Sequence, residues 1–444
     1  MIDTFSFGLI GLGVMILLIV VRVPVAYTMI LVGMAGTIFT SGPAILLNQL
    51  KDLAYSQFSI YDLTVLPMFI LMGGLAARSG LSTDLFRAGN ALLGRFRGGV
   101  AMAAVAACAG FGALSGSSTA TASTMARVAL PELRRYKFSP ALATGTIAAG
   151  GTLGILIPPS VVLIVYAVIV EANIVTMFAA ALIPGILATV LFMLAIAVYV
   201  RLVPGSGPEG QAVSRHELVA SMVAVLPVVV IFGIVIGGIY AGIYNPTPAA
   251  GIGVFLVALY GFVTRRMGWG DFLDSLLETA RTSGMIFLIL LGAELLKIFM
   301  ARAGVPQAAA DYLQHSGLPP YVILAMIIVV FLIFGCLMDS LSMVILAIPF
   351  FWPVVMGLDF GLGPNELKVW FGIIILVVVE LGLITPPVGL NVFIINALAP
   401  DVPMRKTFAG VMPFFAVEIL RVTLLVAFPI LTLGLPRLLL GGKF

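Results

Sequence analysis

In residues 114–120, Leu-Ser-Gly-Ser-Ser-Thr-Ala, a short polar segment interrupts a long apolar stretch, and in residues 156–160, Leu-Ile-Pro-Pro-Ser, two prolines break the next one. The second half of the chain repeats this order, with Leu-Met-Asp-Ser-Leu-Ser at residues 337–342 and Leu-Ile-Thr-Pro-Pro-Val-Gly at residues 383–389. Interrupted membrane segments at corresponding places in two halves are typical of the binding site of a secondary transporter. The pattern therefore predicts a membrane protein with an internal repeat and a transport site at the interruptions.

The composition indicates a polytopic all-α membrane protein. Hydrophobic residues make up 61% of the 444 residues and charged residues only 9%, against about 25% charged residues in soluble proteins. Many apolar runs reach the length of about 20 residues that spans a bilayer as a helix, whereas a β-barrel would show short alternating segments. The first run, residues 5–21, lacks a basic leader and a cleavage site, so we expect a retained span. The net charge of +4 is small and its positive residues lie in predicted loops, so we expect no nucleic-acid partner.

A polar segment rich in proline and glycine, residues 202–218, divides the chain into two predicted repeats, residues 1–201 and 219–444. Each repeat is predicted to contain one re-entrant hairpin and one broken transmembrane helix. The hairpins span about residues 98–133 and 321–355, and the broken helices about residues 140–170 and 369–398.

The distribution of positive charge indicates that the two repeats are inverted. The loop at residues 78–97 carries four arginines and its counterpart at residues 302–320 carries one, whereas residues 265–281 carry three arginines against a single Lys51 in the first half. Because positively charged loops stay in the cytoplasm, equivalent loops lie on opposite sides of the membrane. Five crossings and one hairpin in each half produce this inversion. We expect the central linker in the cytoplasm and both termini in the periplasm.

Four other polar features predict structural roles. The segments at residues 44–61 and 267–281 are too polar to span the membrane, and we expect each to form a helix along its surface. Glu294 with Lys297, and Glu418 with Arg421, have the i,i+3 spacing of neutralising pairs on one helix face.

The proline breaks and the polar hairpin tips predict which ions the site can bind. Prolines remove amide donors and free the carbonyl groups of the preceding turn, and a free carbonyl is a good ligand for a hard cation such as Na⁺. A half-helix that begins beyond a break presents N–H groups to an anion. The candidate residues of the first half are Ser115, Ser117, Ser118 and Thr119. Gly116 permits a tight turn, and Gly150, Gly151 and Gly154 allow the tip to approach the broken helix closely. Those of the second half are Asp339, Ser340, Thr385, Gly389 and Asn391.

Three charged residues lie near these sites. Asp339 is the leading candidate, because an ionisable group at a re-entrant tip is costly and functional by default, with a salt-bridged structural role as the alternative. Glu380, just before the second break, is the weaker candidate. Arg127 on the returning arm of the first hairpin either attracts an anionic substrate or extends to the cytoplasmic surface.

The motifs resemble those of the large membrane subunit (M, or DctM-like) of tripartite ATP-independent periplasmic (TRAP) transporters. The resemblance covers nearly the whole chain, with Ala126 where we would expect a glycine. The residues that carry it are 113–122, 131–132, 149–160, 338–340 and 384–391.

This resemblance implies an elevator-type fold of the ion-transporter superfamily. It also implies import of an organic acid, mostly a carboxylate, across the bacterial inner membrane, driven by a sodium gradient. Na⁺ is the coupling ion, and no cofactor or transition metal is implied. Two partners are implied besides the lipid bilayer, a separate small four-helix membrane subunit (Q-type) and a periplasmic substrate-binding protein.

The resemblance also implies roles for particular residues. The sodium ligands would be Ser115, Ser117, Gly151 and Pro158 in the first half, and Asp339, Ser340, Thr385 and Gly389 in the second. The substrate-binding residues would be Ser118, Thr119, Arg127 and Asn391.

Three alternatives stay open at this stage. One is a stand-alone organic-anion or ion antiporter of similar fold that needs no binding protein. Another is a membrane-embedded enzyme that uses Asp339 and Glu380 on a lipid, although the chain has no Walker A motif and its histidines have no partner at metal-ligand spacing. The third is a channel, which two inverted re-entrant sites favour less than alternating access. The identity of the acid is not encoded in these motifs.

Overall fold

The structure is a computed structural model that describes residues 4–210, 213–315 and 317–439. Residues 211–212 of the predicted linker, and the chain ends 1–3 and 440–444 that we expect in the periplasm, lie outside the described part. The regular elements of the described part are all helices.

In the first half the α-helices are Thr4–Val20 (α1), Val25–Ser41 (α2), Pro43–Phe58 (α3), Val65–Arg78 (α4), Leu81–Leu93 (α5), Gly99–Ser115 (α6), Ser118–Arg135 (α7), Pro140–Leu156 (α8), Val161–Val170 (α9) and Ile174–Leu202 (α10). In the second half they are Arg215–Phe232 (α11), Gly238–Tyr240 (α12), Pro246–Val263 (α13), Trp269–Ala303 (α14), Val305–His315 (α15), Pro320–Gly335 (α16), Ser340–Met356 (α17), Pro364–Gly382 (α18), Leu390–Leu398 (α19), Met404–Ala427 (α20) and Ile430–Leu439 (α21). A 3₁₀ turn, Tyr61–Thr64, precedes α4, and a π-helical turn, Gly233–Gly237, follows α11.

Helix lengths and hydropathy agree with a multi-pass membrane protein. Six described helical segments are long and apolar enough to cross a membrane, and a seventh crossing results if α8 and α9, bent by 44°, form one broken span. The helices α1 and α2 have 17 residues each, which is near the lower limit for a span. The predicted all-α polytopic class is confirmed, while the inverted repeat stays a prediction.

Each polar segment ends one helix and begins the next, so that the chain folds back on itself. Gly116, between α6 and α7, has a φ of 59°, a left-handed conformation that favours glycine. Ser117 then caps α7, because its side chain accepts a hydrogen bond from Ala120 N at 3.4 Å. In the second half Asp339 caps α17 by accepting from Ser342 N at 3.0 Å. Side-chain caps of this kind satisfy amides that have no partner inside the helix.

Glycines pack each hairpin closely against the broken helix of its own half. A Cβ atom added to Gly112 on α6 would lie 2.6 Å from the Cα of Gly154 on α8. In the second half, a Cβ atom on Gly382 of α18 would lie 2.6 Å from the Cα of Gly335 on α16. Both hairpins therefore approach their broken helices at backbone distance, which no larger residue permits.

In each half, a similar backbone hydrogen bond joins the hairpin tip to the break in the broken helix. Val161 N, just after the first break, donates to Gly116 O at 3.4 Å. Gly389 N, just after the second break, donates to Cys336 O at the other tip, also at 3.4 Å. Each tip and its broken helix are thus one packed unit.

The helix α14 corrects one prediction from the sequence. Residues 267–281 do not form a separate surface helix, because from Trp269 they are the first turns of α14, which continues for 35 residues to Ala303. That segment contains no proline that would end the helix. By contrast, the predicted polar segment at residues 44–61 includes a separate helix, α3, with few buried residues.

Both predicted ion pairs are present. Glu418 and Arg421 on α20 are 2% and 0% exposed, and the Arg421 Nε atom donates to Glu418 Oε2 at 3.0 Å. Arg421 Nη1 also donates to the carbonyl oxygen of Pro184 on α10 at 3.3 Å. The second pair, between Lys297 Nζ and Glu294 Oε2, measures 3.3 Å and lies on α14.

Candidate functional site

A cavity of about 800 Å³ lies between the two hairpin tips on one side and helices α4, α5 and α14 on the other. Residues that are far apart in the sequence therefore border one space. Its polar lining on the tip side consists of Ser115, Ser117, Ser118, Thr119, Ser123, Thr124, Asp339 and Ser340. The facing helices contribute Ser82, Thr83, Ser275, Thr279 and Thr282.

The first tip carries a cluster of hydroxyl groups. The Oγ atom of Ser115 lies 2.8 Å from Thr121 Oγ1, and Ser117 Oγ lies 3.3 Å from Thr119 Oγ1. Ser115 and Ser118 are buried, whereas Ser117 and Thr119 are partly exposed toward the cavity. Because each hydroxyl oxygen has two lone pairs, the tip offers a dense set of neutral oxygen ligands.

Asp339 is the only carboxylate among the cavity-lining residues of the tips. Its two oxygens accept hydrogen bonds from Ser342, one from the backbone N at 3.0 Å and one from Oγ at 2.6 Å. Asp339 forms no ion pair with any residue that the structure describes. The salt-bridged alternative is therefore wrong within the described ranges.

Glu380 on α18 was underestimated from the sequence. It is 1% exposed, and Ser340 Oγ donates to its Oε1 at 2.7 Å. Ser118, on the other hairpin, interacts with the same carboxylate. The one signal in the sequence was its position, because a carboxylate inside an apolar helix is rare without a function.

In the first half, two predicted sodium ligands lie outside the cavity wall. Gly151 on α8 faces α7, where an added Cβ atom would lie 2.6 Å from the Cβ of Ala122. Pro158 is buried in the break. Both therefore lie at the seam between the hairpin and the broken helix.

In the second half, three predicted residues lie outside the cavity wall. Thr385 donates its hydroxyl hydrogen to Leu381 O at 2.6 Å, and Gly389 has a φ of 63° at the seam with the second tip. Asn391, predicted to bind substrate, is buried, and its Nδ2 donates to Ala148 O at 3.4 Å. The structure thus places Asn391 against α8 and away from the cavity.

The amides at the start of the half-helices are already used within the protein. Ser160 caps α9 by accepting from Leu163 N at 3.3 Å, and Val161 N donates to the first tip. At α19, Asn391 N donates to Leu383 O at 3.0 Å. The prediction that these N–H groups are presented to an anion is therefore wrong for these amides.

Charged residues form the exposed end of the cavity. Arg78 lies 3.8 Å from Asp271, 3.4 Å from Asp274 and 3.5 Å from Glu278, all on the first turns of α14. Arg127 on α7 lines the cavity, is exposed, and has no ion-pair partner in the described part of the chain. Its guanidinium is consequently free to attract an anion.

A further ion pair anchors the loop before α14 beside the cavity. Arg266 pairs with Asp84 of α5, which is 1% exposed and also accepts from Tyr260 Oη at 3.2 Å. The hydrogen bond to Asp84 raises the pKa of Arg266, against the opposing effect of partial burial. Arg266 also packs beside Gly80, a cavity residue, since a Cβ atom there would lie 3.3 Å from Arg266 Cδ. The pair therefore fixes one edge of the cavity.

The ligand atoms of the tips suit a hard cation. Hydroxyl, carbonyl and carboxylate oxygens are the ligands that such ions prefer. Among the residues that the structure describes, no group of three or more His, Cys, Asp or Glu side chains is placed to hold a metal ion. The site is thus built from oxygen atoms, mostly uncharged.

Comparison with known proteins gives a family. Residues 12–431 match the model of the DctM component of tripartite ATP-independent periplasmic transporters. The chain is 34% identical over 394 residues to the C4-dicarboxylate TRAP transporter large permease protein DctM of Pseudomonas aeruginosa, covering 88% of this chain and 90% of that protein. It is 29% identical over 419 residues to the sialic acid TRAP transporter large permease protein SiaM of Vibrio cholerae, covering 94% and 96%.

Solved structures share the fold at low sequence identity. The YdaH transporter of Alcanivorax borkumensis superposes with a TM-score of 0.63 at 17% identity, over 87% of this chain and 89% of that one. MtrF of Neisseria gonorrhoeae, described as an antimetabolite efflux pump, gives a TM-score of 0.61 at 15% identity, over 88% and 85%.

Proposed function

The chain belongs to the DctM component family of tripartite ATP-independent periplasmic transporters and is a large permease, and we propose that it imports an organic acid, a carboxylate, by coupling to a sodium gradient. As a permease it is a transporter and not an enzyme. The observation that carries the proposal is that both polar hairpin tips border one cavity together with Arg127, which has no ion-pair partner among the described residues.

Sodium binding is supported by the seam between each tip and its broken helix. We assign one site to Ser115, Ser117, Gly151 and Pro158, and the other to Asp339, Ser340, Thr385 and Gly389. In each half a hydrogen bond of 3.4 Å closes this seam beside hydroxyl and carbonyl oxygens. A Na⁺ ion that binds at a seam and stabilises its closed form would couple its binding free energy to the position of the hairpin tip.

Substrate binding is supported by the charge and the hydroxyl groups of the cavity. Ser118, Thr119 and Arg127 line it together, and a guanidinium with nearby hydroxyls is well suited to a carboxylate. Asn391 is buried behind this wall, so the proposal rests on the other three residues. The Pseudomonas and Vibrio relatives transport C4-dicarboxylates and sialic acid by name, and both are carboxylates.

Partners and location follow from the family. Large permeases of this family normally work with a small membrane subunit and a periplasmic binding protein. We propose that this chain receives its substrate from such a binding protein and resides in the bacterial inner membrane, with the central linker in the cytoplasm. The exposed end of the cavity, near Arg78 and Arg127, then faces the cytoplasm, because positive residues favour that side.

Thermal unfolding tests the sodium sites without knowledge of the substrate. The purified chain, with its small partner if required, is heated in NaCl, KCl and choline chloride at equal ionic strength. A ligand at about 100 times its Kd stabilises by roughly 2.7 kcal/mol, so we expect a Na⁺-specific rise in Tm. Ser117→Ala and Asp339→Ala should reduce this rise, whereas Thr423→Ala, outside the cavity, should preserve it. Identical unfolding in the three salts would refute sodium coupling.

A further inference from the structure

Glu380 occupies the point at which the two hairpins meet. Ser340 of the second hairpin donates its hydroxyl hydrogen to Glu380 Oε1 at 2.7 Å, and Ser118 of the first interacts with the same carboxylate. Both serines line the cavity, while Glu380 lies behind them and is 1% exposed. One carboxylate therefore lies beside the first residue of the returning helix on both tips and is hydrogen-bonded to that of the second.

The carboxyl group of Glu380 has no dedicated counter-ion within the described ranges. The nearby Arg421 is bound to Glu418 and to a backbone carbonyl. Glu380 Oε2 is buried and has no hydrogen-bond partner in the part of the chain that the structure describes. A buried ionised carboxylate is strongly unfavourable unless a cation or several hydrogen bonds compensate it, so this place in the structure favours a cation.

The hydrogen bond also orients the serine hydroxyl. A serine hydroxyl has one hydrogen to donate and two lone pairs. Since Ser340 gives its hydrogen to Glu380, the side of Ser340 Oγ that faces the cavity carries lone pairs alone. A hydroxyl fixed in this way binds a cation and cannot donate to an anion.

We propose that Glu380 is a positioning residue for the transported Na⁺: it holds the hydroxyl of Ser340 with its oxygen toward the ion, and its charge balances the charge of the ion. The inference rests on the proposed sodium coupling and adds the residue that links the two halves. The carboxylate stands behind the ligand Ser340 and itself makes no contact with the ion.

The first half has no equivalent charge. When Gly154-Ile-Leu-Ile-Pro-Pro is aligned with Gly382-Leu-Ile-Thr-Pro-Pro, Glu380 corresponds to Thr152. Thr152 is buried and donates its hydroxyl hydrogen to Ala149 O at 2.6 Å. A single carboxylate thus holds Ser340 of the second tip and lies beside Ser118 of the first, so ion binding at the second tip depends on the position of the first.

The test is a Na⁺ titration of Tm in choline chloride at constant ionic strength, with wild type, Glu380→Gln and Glu366→Gln. Glu366 is a matched control, because it lies on the same helix and loses the same charge but pairs with Arg437 at the other end. Loss of a residue that orients metal ligands typically weakens metal affinity about 10- to 100-fold. We expect that increase in the Na⁺ midpoint for Glu380→Gln, with Na⁺-free Tm little changed, and a wild-type midpoint for Glu366→Gln.

The outcomes separate this inference from the proposed function. A wild-type protein without a Na⁺-specific shift refutes the sodium proposal itself. A normal wild-type shift with an unchanged midpoint in Glu380→Gln, or an equal increase in Glu366→Gln, overturns the role of Glu380 alone. If Glu380→Gln is not monodisperse, Glu380→Asp keeps the charge but shortens its reach. A raised midpoint in that variant supports the proposal, and a wild-type midpoint overturns it.

Discussion

Replacing Gly112 with alanine should separate the first hairpin from its broken helix. The new Cβ atom would lie 2.6 Å from Gly154 Cα and 3.1 Å from both Gly154 N and Leu153 O. Carbon atoms in contact prefer about 3.5–4.0 Å, so α6 and α8 must move apart by about 1 Å. All of these neighbouring atoms belong to the backbone, so no side-chain rotation can relieve the contact.

The expected loss of stability is the difference between two effects. Overpacking of a buried contact costs about 1–3 kcal/mol, and a contact between two backbones belongs to the upper part of this range. The higher helix propensity of alanine returns up to about 1 kcal/mol. We therefore expect Gly112→Ala to lose about 1–2 kcal/mol of unfolding free energy, the difference of these estimates. Gly335→Ala should lose less, because its Cβ atom would lie 3.1 Å from the nearest atom, Gly382 Cα.

The assay is reversible unfolding in mixed detergent micelles, with Gly284→Ala as the control. Gly284 is exposed on α14, and its added Cβ atom would meet nothing within 4 Å, so this variant measures helix propensity alone. The Na⁺ midpoint of Gly112→Ala should also rise, since the shifted helices open the seam beside the first tip. Stability of Gly112→Ala equal to that of Gly284→Ala would refute the account of the close crossing.

Three further variants test the site. Asp339→Asn should abolish Na⁺-coupled uptake in proteoliposomes containing both partners while the protein still inserts and purifies normally, and wild-type uptake would exclude the role given to this carboxylate. Glu418→Gln leaves Arg421 buried without its charged partner and should lose about 3–5 kcal/mol of unfolding free energy. Combining it with Arg421→Met should restore much of this loss. A loss below about 1 kcal/mol in Glu418→Gln, the value of a surface pair, would contradict the buried pairing. Arg127→Ala should raise the substrate concentration for half-maximal uptake and leave the Na⁺ midpoint unchanged, and Arg127→Lys should raise that substrate concentration less. Equal uptake by wild type and both variants would show that Arg127 only extends to the membrane surface.

The sequence predicts the helical class and the hairpin tips well, because polar residues and prolines inside apolar runs are costly in a bilayer unless a turn or a binding site requires them. Ser118 and Asp339 were located in this way, and both line the cavity. Asn391 was misplaced because a motif gives the order of residues but not the rotation of a nine-residue helix. The proline pairs match in sequence, yet Pro158 is buried and Pro386 is exposed, since burial depends on helices distant in the chain.

Glu380 and α14 show two other limits. A glutamate in an apolar helix looks the same in the sequence whether it binds a ligand, forms an ion pair or caps a helix. Only the fold shows that Ser118 and Ser340 lie beside Glu380. Residues 267–281 look like a surface helix because they are polar, but no residue there ends the helix before Ala303. The polarity of a segment indicates that it contacts water, but it does not indicate the residue at which its helix ends.

The cavity between tips and facing helices has an electrical consequence. It extends from exposed charged residues at Arg78 to the buried hydroxyl of Ser115. In the proposed orientation, a salt solution that fills it would carry the potential of the cytoplasm to the tips. The membrane voltage would then fall across the protein beyond the tips rather than across the whole hydrocarbon core of about 30 Å. An elementary charge that crosses this voltage gains or loses about 2.3 kcal/mol per 100 mV. In the proposed sodium-coupled transport, a bound Na⁺ would consequently pass through most of the field during a short displacement of the tips.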